Sequence, residues 1–491
     1  MSFWPDADKS LISRQIHTML SKKPGNVFIW SGALLFVIIL WLSWNSEWEY
    51  DEAWSYWGTD GTSFLDILRY SHFKVANNHL FNSLYFHVMQ SLHAKNVFFY
   101  RIMSFSSLLI YIYYLRRLFG LYKEKYGLPD KASIPGSYTI LFLMLPFALY
   151  FSIGRGYAFA MAAFTASLYY FNLYLEKRAL KALMLFLLSG AISSLAIFSF
   201  VFVFLVMGGL LVWIVITNRS LPRMGFPNWK DASWSYVLLL PCLAFVACAL
   251  LYVFSMGKVV STDPNIIGNN SLFVNGAGSS LISFMCFQDF LPDKTFKIIK
   301  IIFLLSAVPM GILFVLGKKI YRELIILAGV FAAFFICHKL LGSKYPLGRG
   351  LSFMCLLIYL HLFVAASRKP HFFYAVHFYV AILIGSIGLG VYAYKTAIKP
   401  NSNDVLRYVQ NNHGKGLLID RFNPNIFLEN HLYFQEGVKI VRSDNPVEFK
   451  NKIVSDTVDF AMATRDSAAI IAVSNGYHEA LPLGNGMLLK K

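Results

Sequence analysis

The sequence of 491 residues is too apolar for a water-soluble globular protein, because 57% of its residues are hydrophobic, only 14% are charged and its mean hydropathy is +0.53. Its formal net charge of +18 lies mostly in short loops between apolar segments, so we do not interpret it as a nucleic-acid-binding surface. These properties predict a polytopic α-helical membrane protein.

About eleven segments have the length and apolarity of membrane-spanning helices, which need roughly 20 mostly apolar residues. In chain order they are Val27 to Trp44, Val97 to Leu118, Ile134 to Ile153, Tyr157 to Leu175, Ala182 to Phe198, Val201 to Ile216, Tyr236 to Ser255, Phe296 to Leu316, Glu323 to Leu340, Leu351 to Ala366 and Phe372 to Tyr394. The division between the fifth and the sixth segment has the weakest signal.

A polar, basic stretch of residues 1–26 precedes the first segment, which has no small-residue cleavage site. We therefore interpret this segment as a retained anchor and place residues 1–26 in the cytoplasm. Lys and Arg residues cluster in alternate loops, as the positive-inside rule predicts for cytoplasmic loops. The predicted domains are a cytoplasmic segment 1–26, a transmembrane domain 27–394 with an outer loop 45–96, and an outer domain 395–491.

Acidic and aromatic side chains alternate just after the first predicted span, between Glu47 and Trp57. A solvated loop could carry these carboxylates, but adjacent acids such as Asp51 and Glu52 beside aromatic rings at a membrane surface also suit sugar transfer from a lipid-linked donor. The rings that could either stack on sugar faces or form an aromatic belt at the membrane interface are Trp54, Tyr56 and Trp57.

An amphipathic helix is predicted later in the same outer loop, where leucine and valine recur every four positions from Leu80 to Leu92. Asn77, Asn78 and His79 precede this helix and would form its polar cap. The helix could wall a cavity that opens to the lipid, or it could be only a capped interfacial helix.

Four cations break the positive-inside pattern, because they lie on the predicted outer side. Arg155 lies in a short, glycine-flanked turn, and Lys339, Lys344 and Arg349 lie before a late apolar segment. Cations near lipid are costly and normally face a cavity, and arginine can present its fork to phosphate oxygens. We therefore expect an anionic ligand here, although each cation on its own could instead extend to lipid headgroups.

The tail after Lys395 predicts a small α/β domain, in which short β-like runs alternate with helical stretches. The runs are Gly416 to Ile419, Val438 to Val441, Phe460 to Thr464 and Ile470 to Val473, and the helical stretches are near Asp404 to Asn411 and Pro446 to Ile453.

Four motifs in this order resemble the GT-C glycosyltransferases, in the branch of bacterial protein-mannosyltransferase-like and aminoarabinose-transferase-like enzymes. They are DEAWSYW from Asp51, NNHLFNSLYFHVMQSL from Asn77, GRGYAFAMAAF from Gly154 and KYPLGRGLSF from Lys344. The resemblance covers Val27 to Lys395 and rests on the order and placement of the motifs rather than on any single one.

The resemblance implies a GT-C-like membrane fold, a polyprenyl-phosphate sugar donor, a lipid, glycan or protein acceptor, and a bacterial inner (plasma) membrane location with the active site facing the periplasm or exterior. It also implies a catalytic acid at the end of the first helix, which corresponds to Asp51 with Glu52 beside it. Some relatives carry a second acid in the turn that here runs from Ser152 to Tyr157. This sequence has none there, which leaves metal use open.

The expected chemistry does not need an acid to protonate the leaving group, since a polyprenyl phosphate leaves readily. We predict that Asp51 removes the proton of the acceptor hydroxyl as general base. Arg155, Lys344 and Arg349 would bind the donor phosphate, and the sugar carbon would be inverted.

Glu52 is not expected to share the role of Asp51, since adjacent helical residues point about 100° apart. It could position the acceptor, hold a divalent cation such as Mg²⁺ or Mn²⁺ with Asp51 and His79, or be a solvated neighbour. The candidate substrate-binding residues are His79, Asn78, Tyr345 and Trp54.

Two other classes of protein stay open. A polytopic transporter or flippase for a lipid-linked or anionic substrate would use the same cations, although the sequence shows few acids within the spans and no repeated halves. A noncatalytic envelope scaffold would depend on the tail instead.

Overall fold

The computed structural model describes residues 24–71, 79–128, 146–217, 229–261, 278–288, 291–316, 322–341, 346, 348–368, 372–398, 405, 408–409, 411–419, 439–443, 446–455, 458–463, 466–483 and 486–491. The chain forms two compact units. The first comprises Met1–Trp41, Leu65–Asn82 and Arg101–Val391, and the second comprises Leu42–Phe64, Ser83–Tyr100 and Tyr392–Lys491. The predicted domain limits at residues 26 and 394 stay a prediction.

The α-helices that precede the sheet are α1 Pro24–Asn45, α2 Tyr50–Thr59, α3 Phe64–Arg69, α4 Leu80–Ser91, α5 Val97–Tyr126, α6 Gly156–Lys177, α7 Leu180–Ala196, α8 Phe200–Thr217, α9 Trp229–Ser261, α10 Ser279–Met285, α11 Asp293–Leu316, α12 Arg322–Leu341, α13 Ser352–Arg368 and α14 Phe372–Ala393. Short 3-10 helices lie at Pro146–Phe151 and Gly348–Leu351, and a π-helix follows at Tyr394–Ile398.

Every predicted span except Ile134 to Ile153 coincides with one of these helices. Most of that segment lies outside the described residues, and its last part forms the 3-10 helix Pro146–Phe151. The predicted division between the fifth and sixth spans is confirmed, because α7 ends at Ala196 and α8 begins at Phe200.

Seven helical stretches in the described part of the chain are long and apolar enough to cross a membrane. They are Val97–Tyr126, Gly156–Lys177, Phe200–Thr217, Leu238–Lys258, Arg322–Leu340, Gly348–Ser367 and Phe372–Ile398. Large aliphatic side chains such as Leu240 and Leu305 are exposed on the surface of the protein, at 72% and 71%, and this exposure fits contact with lipid. The chain is therefore an integral membrane protein, as its composition predicts.

Helix α6 is the most relevant helix of the first unit, because its N-terminus carries Arg155. Most of its side chains are buried, including those from Gly156 to Ala158. Helix α7 packs along it, and Ser193 of α7 donates a hydrogen bond of 2.9 Å to the carbonyl oxygen of Ala160. The start of α6 is thus held inside the unit.

The second unit contains a five-stranded sheet in the order β2-β1-β3-β5-β4, which confirms the predicted C-terminal α/β domain. Its elements are β1 Gly416–Ile419, β2 Lys439–Arg442, α15 Pro446–Ser455, β3 Phe460–Ala463, α16 Asp466–Ser474, β4 His478–Leu483 and β5 Gly486–Lys490. Strand β1 is parallel to β2 and β3, while β5 is antiparallel to β3 and β4. Alternate residues of β1 enter different cores, with Leu417 on one face and Leu418 on the other.

One predicted strand of this domain is wrong, since Ile470 to Val473 lies in helix α16. Short apolar runs do not distinguish a strand from a buried helix. Here the buried residues are Ala468 and Ala472, which are four positions apart and pack against the sheet as one helical face. Strands β4 and β5 are not predicted from the sequence.

Helix α4 confirms the helix predicted after His79, and part of its apolar stripe is exposed. Asn82 and Ser83 are buried, whereas Val88 is 45% exposed and Leu92, just after the helix, is 67% exposed. The apolar stripe is therefore buried at Leu80 and exposed towards Leu92, while the polar residues Asn82 and Ser83 are buried beside it.

Candidate functional site

Arg155 precedes the first residue of α6, and its side chain is fully buried. Ser104 of α5 fixes its backbone, because the Ser104 hydroxyl donates to the Arg155 carbonyl oxygen at 3.0 Å and accepts from the Arg155 N–H at 3.3 Å. A fully buried arginine does not extend to lipid headgroups, so that alternative does not apply to Arg155.

The ring of Tyr157 lies beside two guanidinium groups. The Cζ atom of Arg155 is 5.5 Å from the ring centroid and that of Arg349 is 5.7 Å from it. The His79 ring packs edge-on at 4.7 Å between centroids, and the Tyr150 ring lies 5.1 Å away. The structure therefore brings together residues from three distant parts of the chain. We call His79, Arg155, Tyr157 and Arg349 the arginine cluster.

Arg349 is positioned by the 3-10 turn before α13. Gly348 has φ of +50°, a conformation that glycine adopts without strain, and its N–H donates to the Ser280 hydroxyl. On the other side of Arg349, the carbonyl oxygen of Gly350 accepts a hydrogen bond of 2.7 Å from the Ser199 hydroxyl. Gly348 and Gly350, the two neighbours of Arg349, are thus hydrogen-bonded to other elements of the same unit.

His79 is buried and contacts Arg155 through its Nε2 atom, which is 3.4 Å from Nη2 of the arginine. Because a guanidinium only donates, Nε2 is the acceptor and Nδ1 carries the proton. Burial, together with the nearby charge of Arg349, lowers the pKa of His79 to about 3. His79 is therefore uncharged at neutral pH. Gly156 permits this close packing, since a Cβ atom there would lie 2.7 Å from the Cβ atom of His79.

The electrostatics of the arginine cluster favour an anion. The guanidinium groups of Arg155 and Arg349 both lie beside the ring of Tyr157, and the neutral imidazole of His79 adds no charge to theirs. Arg155 also lies at the positive end of the α6 dipole, where a cation is unfavourable and an anion is favourable. A phosphate group could accept from both guanidinium groups in charge-assisted hydrogen bonds.

The acidic segment around Asp51 begins helix α2 with a capping box. The Asp51 N–H donates to the Glu49 carboxylate at 3.0 Å, and the Glu49 N–H donates to the Glu52 carboxylate at 3.1 Å. Glu52 is fully buried, so the alternative that it is a solvated neighbour is wrong. Asp51 is only half-buried, and the two acids differ in environment as their helical spacing predicts.

The aromatic rings of the acidic segment also divide into two groups. Tyr56 is buried with Trp48 and Tyr100, with ring centroids 5.7 and 5.4 Å away, so it is a core residue and does not stack on a sugar. Trp54 is half-buried and Trp57 is 37% exposed, so these two rings keep surface for a ligand or for lipid.

A divalent cation does not fit the residues proposed to hold it. No three His, Cys, Asp or Glu side chains come together within the described residues. The Nε2 atom of His79 accepts from a guanidinium, and a Glu52 oxygen caps α2. Burial is the main cause of the low pKa of His79, and the nearby charge of Arg349, which is the smaller cause, would also oppose a metal ion. The residues proposed as metal ligands are therefore better explained by their contacts within the protein.

Three candidate residues, Asn78, Lys344 and Tyr345, lie outside the described residues and stay predictions. Lys339 is exposed on α12, and its Nζ atom lies 6.0 Å from the centroid of Phe335. Tyr157 was not assigned from the sequence. Its position two residues after an anomalous arginine was the available signal, because tyrosine rings commonly support guanidinium groups.

No family model and no curated protein matches the sequence. Two crystal structures of ArnT from Cupriavidus metallidurans are similar to this chain at 11% identity. The apo structure has a TM-score of 0.43 and covers 93% of this chain and 97% of that chain. The structure bound to undecaprenyl phosphate has a TM-score of 0.44, with 94% and 97% covered.

Proposed function

We propose that this protein is a membrane glycosyltransferase that moves a sugar from a polyprenyl-phosphate donor to an acceptor on the outer, periplasmic face. The observation that carries the proposal is the arginine cluster, in which two guanidinium groups share the ring of Tyr157 beside a neutral histidine. The arginine cluster belongs to a helical membrane unit. A lipid-linked anion could therefore keep its apolar chain in the lipid while its phosphate binds to the arginines.

The phosphate of the donor would be bound by Arg155 and Arg349, with Lys344 as a third cation. As the bond between the sugar carbon and the phosphate oxygen breaks, its electron pair moves onto the phosphate. Guanidinium groups held in place before the reaction stabilise that charge without reorganisation. His79 would keep the guanidinium group of Arg155 oriented, because its uncharged Nε2 atom accepts a hydrogen bond from Nη2 of the arginine.

We assign the proton transfer to Asp51. Its carboxylate takes the proton of the acceptor hydroxyl while the hydroxyl oxygen attacks the sugar carbon from the side opposite the phosphate, which inverts that carbon. The half-buried environment of Asp51 supports this role, since a base must be accessible to its substrate. Glu52 would act by ordering the first turn of α2, and Trp54, Asn78 and Tyr345 would contact the substrate.

The proposal is tested with Asp51→Asn, which removes the base but preserves size and hydrogen-bonding shape. Transfer of radiolabelled sugar from undecaprenyl-phosphate sugars is measured in membranes, and binding of undecaprenyl phosphate is measured with the purified protein. We expect transfer to fall by about 1000-fold and lipid binding to stay unchanged, because general-base catalysis contributes about 10² to 10⁴ in rate.

The alternative functions predict other results. A transporter or flippase would move a lipid-linked substrate across the membrane at an unchanged rate after Asp51→Asn and would transfer no sugar before the change. A wild-type protein that binds no polyprenyl phosphate would contradict the proposal at its first step.

A further inference from the structure

Helix α4 directs polar side chains into the protein at the end nearest the arginine cluster. His79, just before the helix, is 6% exposed and Asn82 in its first turn is 1% exposed, whereas Val88 further along is 45% exposed. Apolar residues lose little by facing lipid, but a buried polar residue in a membrane protein needs a polar environment. The buried polar side chains at this end of α4 therefore need polar partners inside the protein.

Asn82 is buried without hydrogen bonds for its amide group. Neither its Oδ1 nor its Nδ2 atom has a hydrogen-bond partner in the part of the chain that the structure describes. Asn172 of α6 is a contrasting case, since it is fully buried but donates to the Leu168 carbonyl oxygen at 2.8 Å and accepts from Arg322 at 2.7 Å. An unpaired buried amide is costly and rare, so the presence of one points to a ligand that pairs it.

The position of Asn82 associates it with the arginine cluster. It follows His79 by three residues, and the residue before a helix and the third helical residue lie on the same side of the first turn. His79 on that side contacts both Arg155 and the ring of Tyr157. Asn82 thus lies on the face of α4 that the arginine cluster occupies.

We infer that Asn82 forms a subsite for the sugar of the lipid-linked donor, an inference that rests on the proposed function. A carboxamide offers one acceptor oxygen and two donor hydrogens. A phosphate only accepts hydrogen bonds and would leave Oδ1 of Asn82 unpaired. A sugar hydroxyl or an N-acetyl group both donates and accepts, so it pairs both ends of the amide. The arginines then hold the phosphate, and Asn82 distinguishes the sugar that is attached to it.

The test compares the binding of two kinds of lipid to the full-length protein. The probes are undecaprenyl phosphate alone and undecaprenyl phosphate that carries glucose, mannose or N-acetylglucosamine. We expect the wild type to bind at least one sugar-bearing lipid more tightly than the bare lipid phosphate. Asn82→Leu should reduce that preference at least tenfold and leave the affinity for bare undecaprenyl phosphate unchanged, because a site built for hydrogen bonds loses discrimination when they are removed.

Thermal unfolding in detergent provides the matched control. Asn82→Leu replaces an unpaired polar group by an apolar one of similar size, so the melting temperature should stay the same or rise. Asn172→Leu removes two hydrogen bonds from an equally buried amide and should lower the melting temperature. If Asn82→Leu proves unstable, Asn82→Ala is measured in its place, with the same loss of preference expected.

The outcomes are distinguishable. A variant that keeps the wild-type preference for the sugar-bearing lipid would overturn the inference, and so would equal loss of affinity for both lipids. A wild type that binds bare and sugar-bearing lipids equally would overturn the inference but not phosphate binding. A wild type that binds neither lipid would overturn the proposed function and this inference with it.

Discussion

The arginine cluster and the acidic segment, Glu47 to Trp57, satisfy their charged groups in opposite ways. The arginine cluster joins residues far apart in sequence, such as His79 and Arg155, and keeps two like charges beside one ring. The acidic segment uses the backbone N–H groups of its own helix start to neutralise its carboxylates. The first arrangement presents two guanidinium groups that an anion can bind, whereas the second already pairs the carboxylates of Glu49 and Glu52 with backbone N–H groups.

The largest expected effect on lipid binding is at the arginine cluster. Arg155→Gln should weaken the binding of undecaprenyl phosphate about 100-fold, because it removes a buried charge-assisted hydrogen bond worth roughly 2 to 3 kcal/mol. Arg155→Lys should also weaken it, since a lysine keeps the charge but not the planar fork. Binding is measured by isothermal titration with the purified protein.

Arg178 provides the matched control, because it lies at the other end of α6 with its Cζ atom 5.9 Å from the ring of Tyr174. Arg178→Gln removes an arginine with the same kind of aromatic contact on the same helix. Its binding of undecaprenyl phosphate should equal that of the wild type. Equal losses in Arg155→Gln and Arg178→Gln would mean that the arginine cluster has no special role.

A smaller effect separates the two acids of the acidic segment. Glu52→Ala should destabilise the protein by about 1 to 2 kcal/mol, because the Glu49 N–H loses its capping acceptor in a buried place. Glu52→Gln keeps that acceptor and should restore most of the stability. Asp51→Asn should change the melting temperature less than Glu52→Ala while it reduces sugar transfer more. The comparison uses thermal unfolding in detergent and the transfer assay on the same preparations.

The sequence predicts the parts of this molecule that depend on local patterns. Apolar length predicts the helices that cross the membrane, and alternating charges identify Arg155 and Arg349 as anomalous. Burial depends on tertiary packing and is harder to predict. Tyr56 and Trp54 are two residues apart in one aromatic motif, yet only Tyr56 enters the core. Likewise, Glu52 and Asn82 are both buried, but nothing local in the sequence shows which side of a short helix is covered.

A pH dependence of stability is also expected from the arginine cluster. His79 has a pKa of about 3 in the folded protein, against an ordinary value near 6.5 when unfolded. Between these two pKa values the unfolded state binds one proton more than the folded state. The free energy of unfolding is therefore highest above pH 6.5 and falls by up to about 1.4 kcal/mol for each pH unit below it. Arg155 and Arg349 do not titrate in this range. His79→Asn should therefore unfold with a shallower dependence on pH between 4 and 6.5 than the wild type, and Arg349→Gln should lie between them, since it removes one of the two causes of the low pKa. Identical slopes for all three proteins in thermal unfolding would show that His79 is not held neutral by the arginine cluster, and the electrostatic case for an anion there would lose its main support.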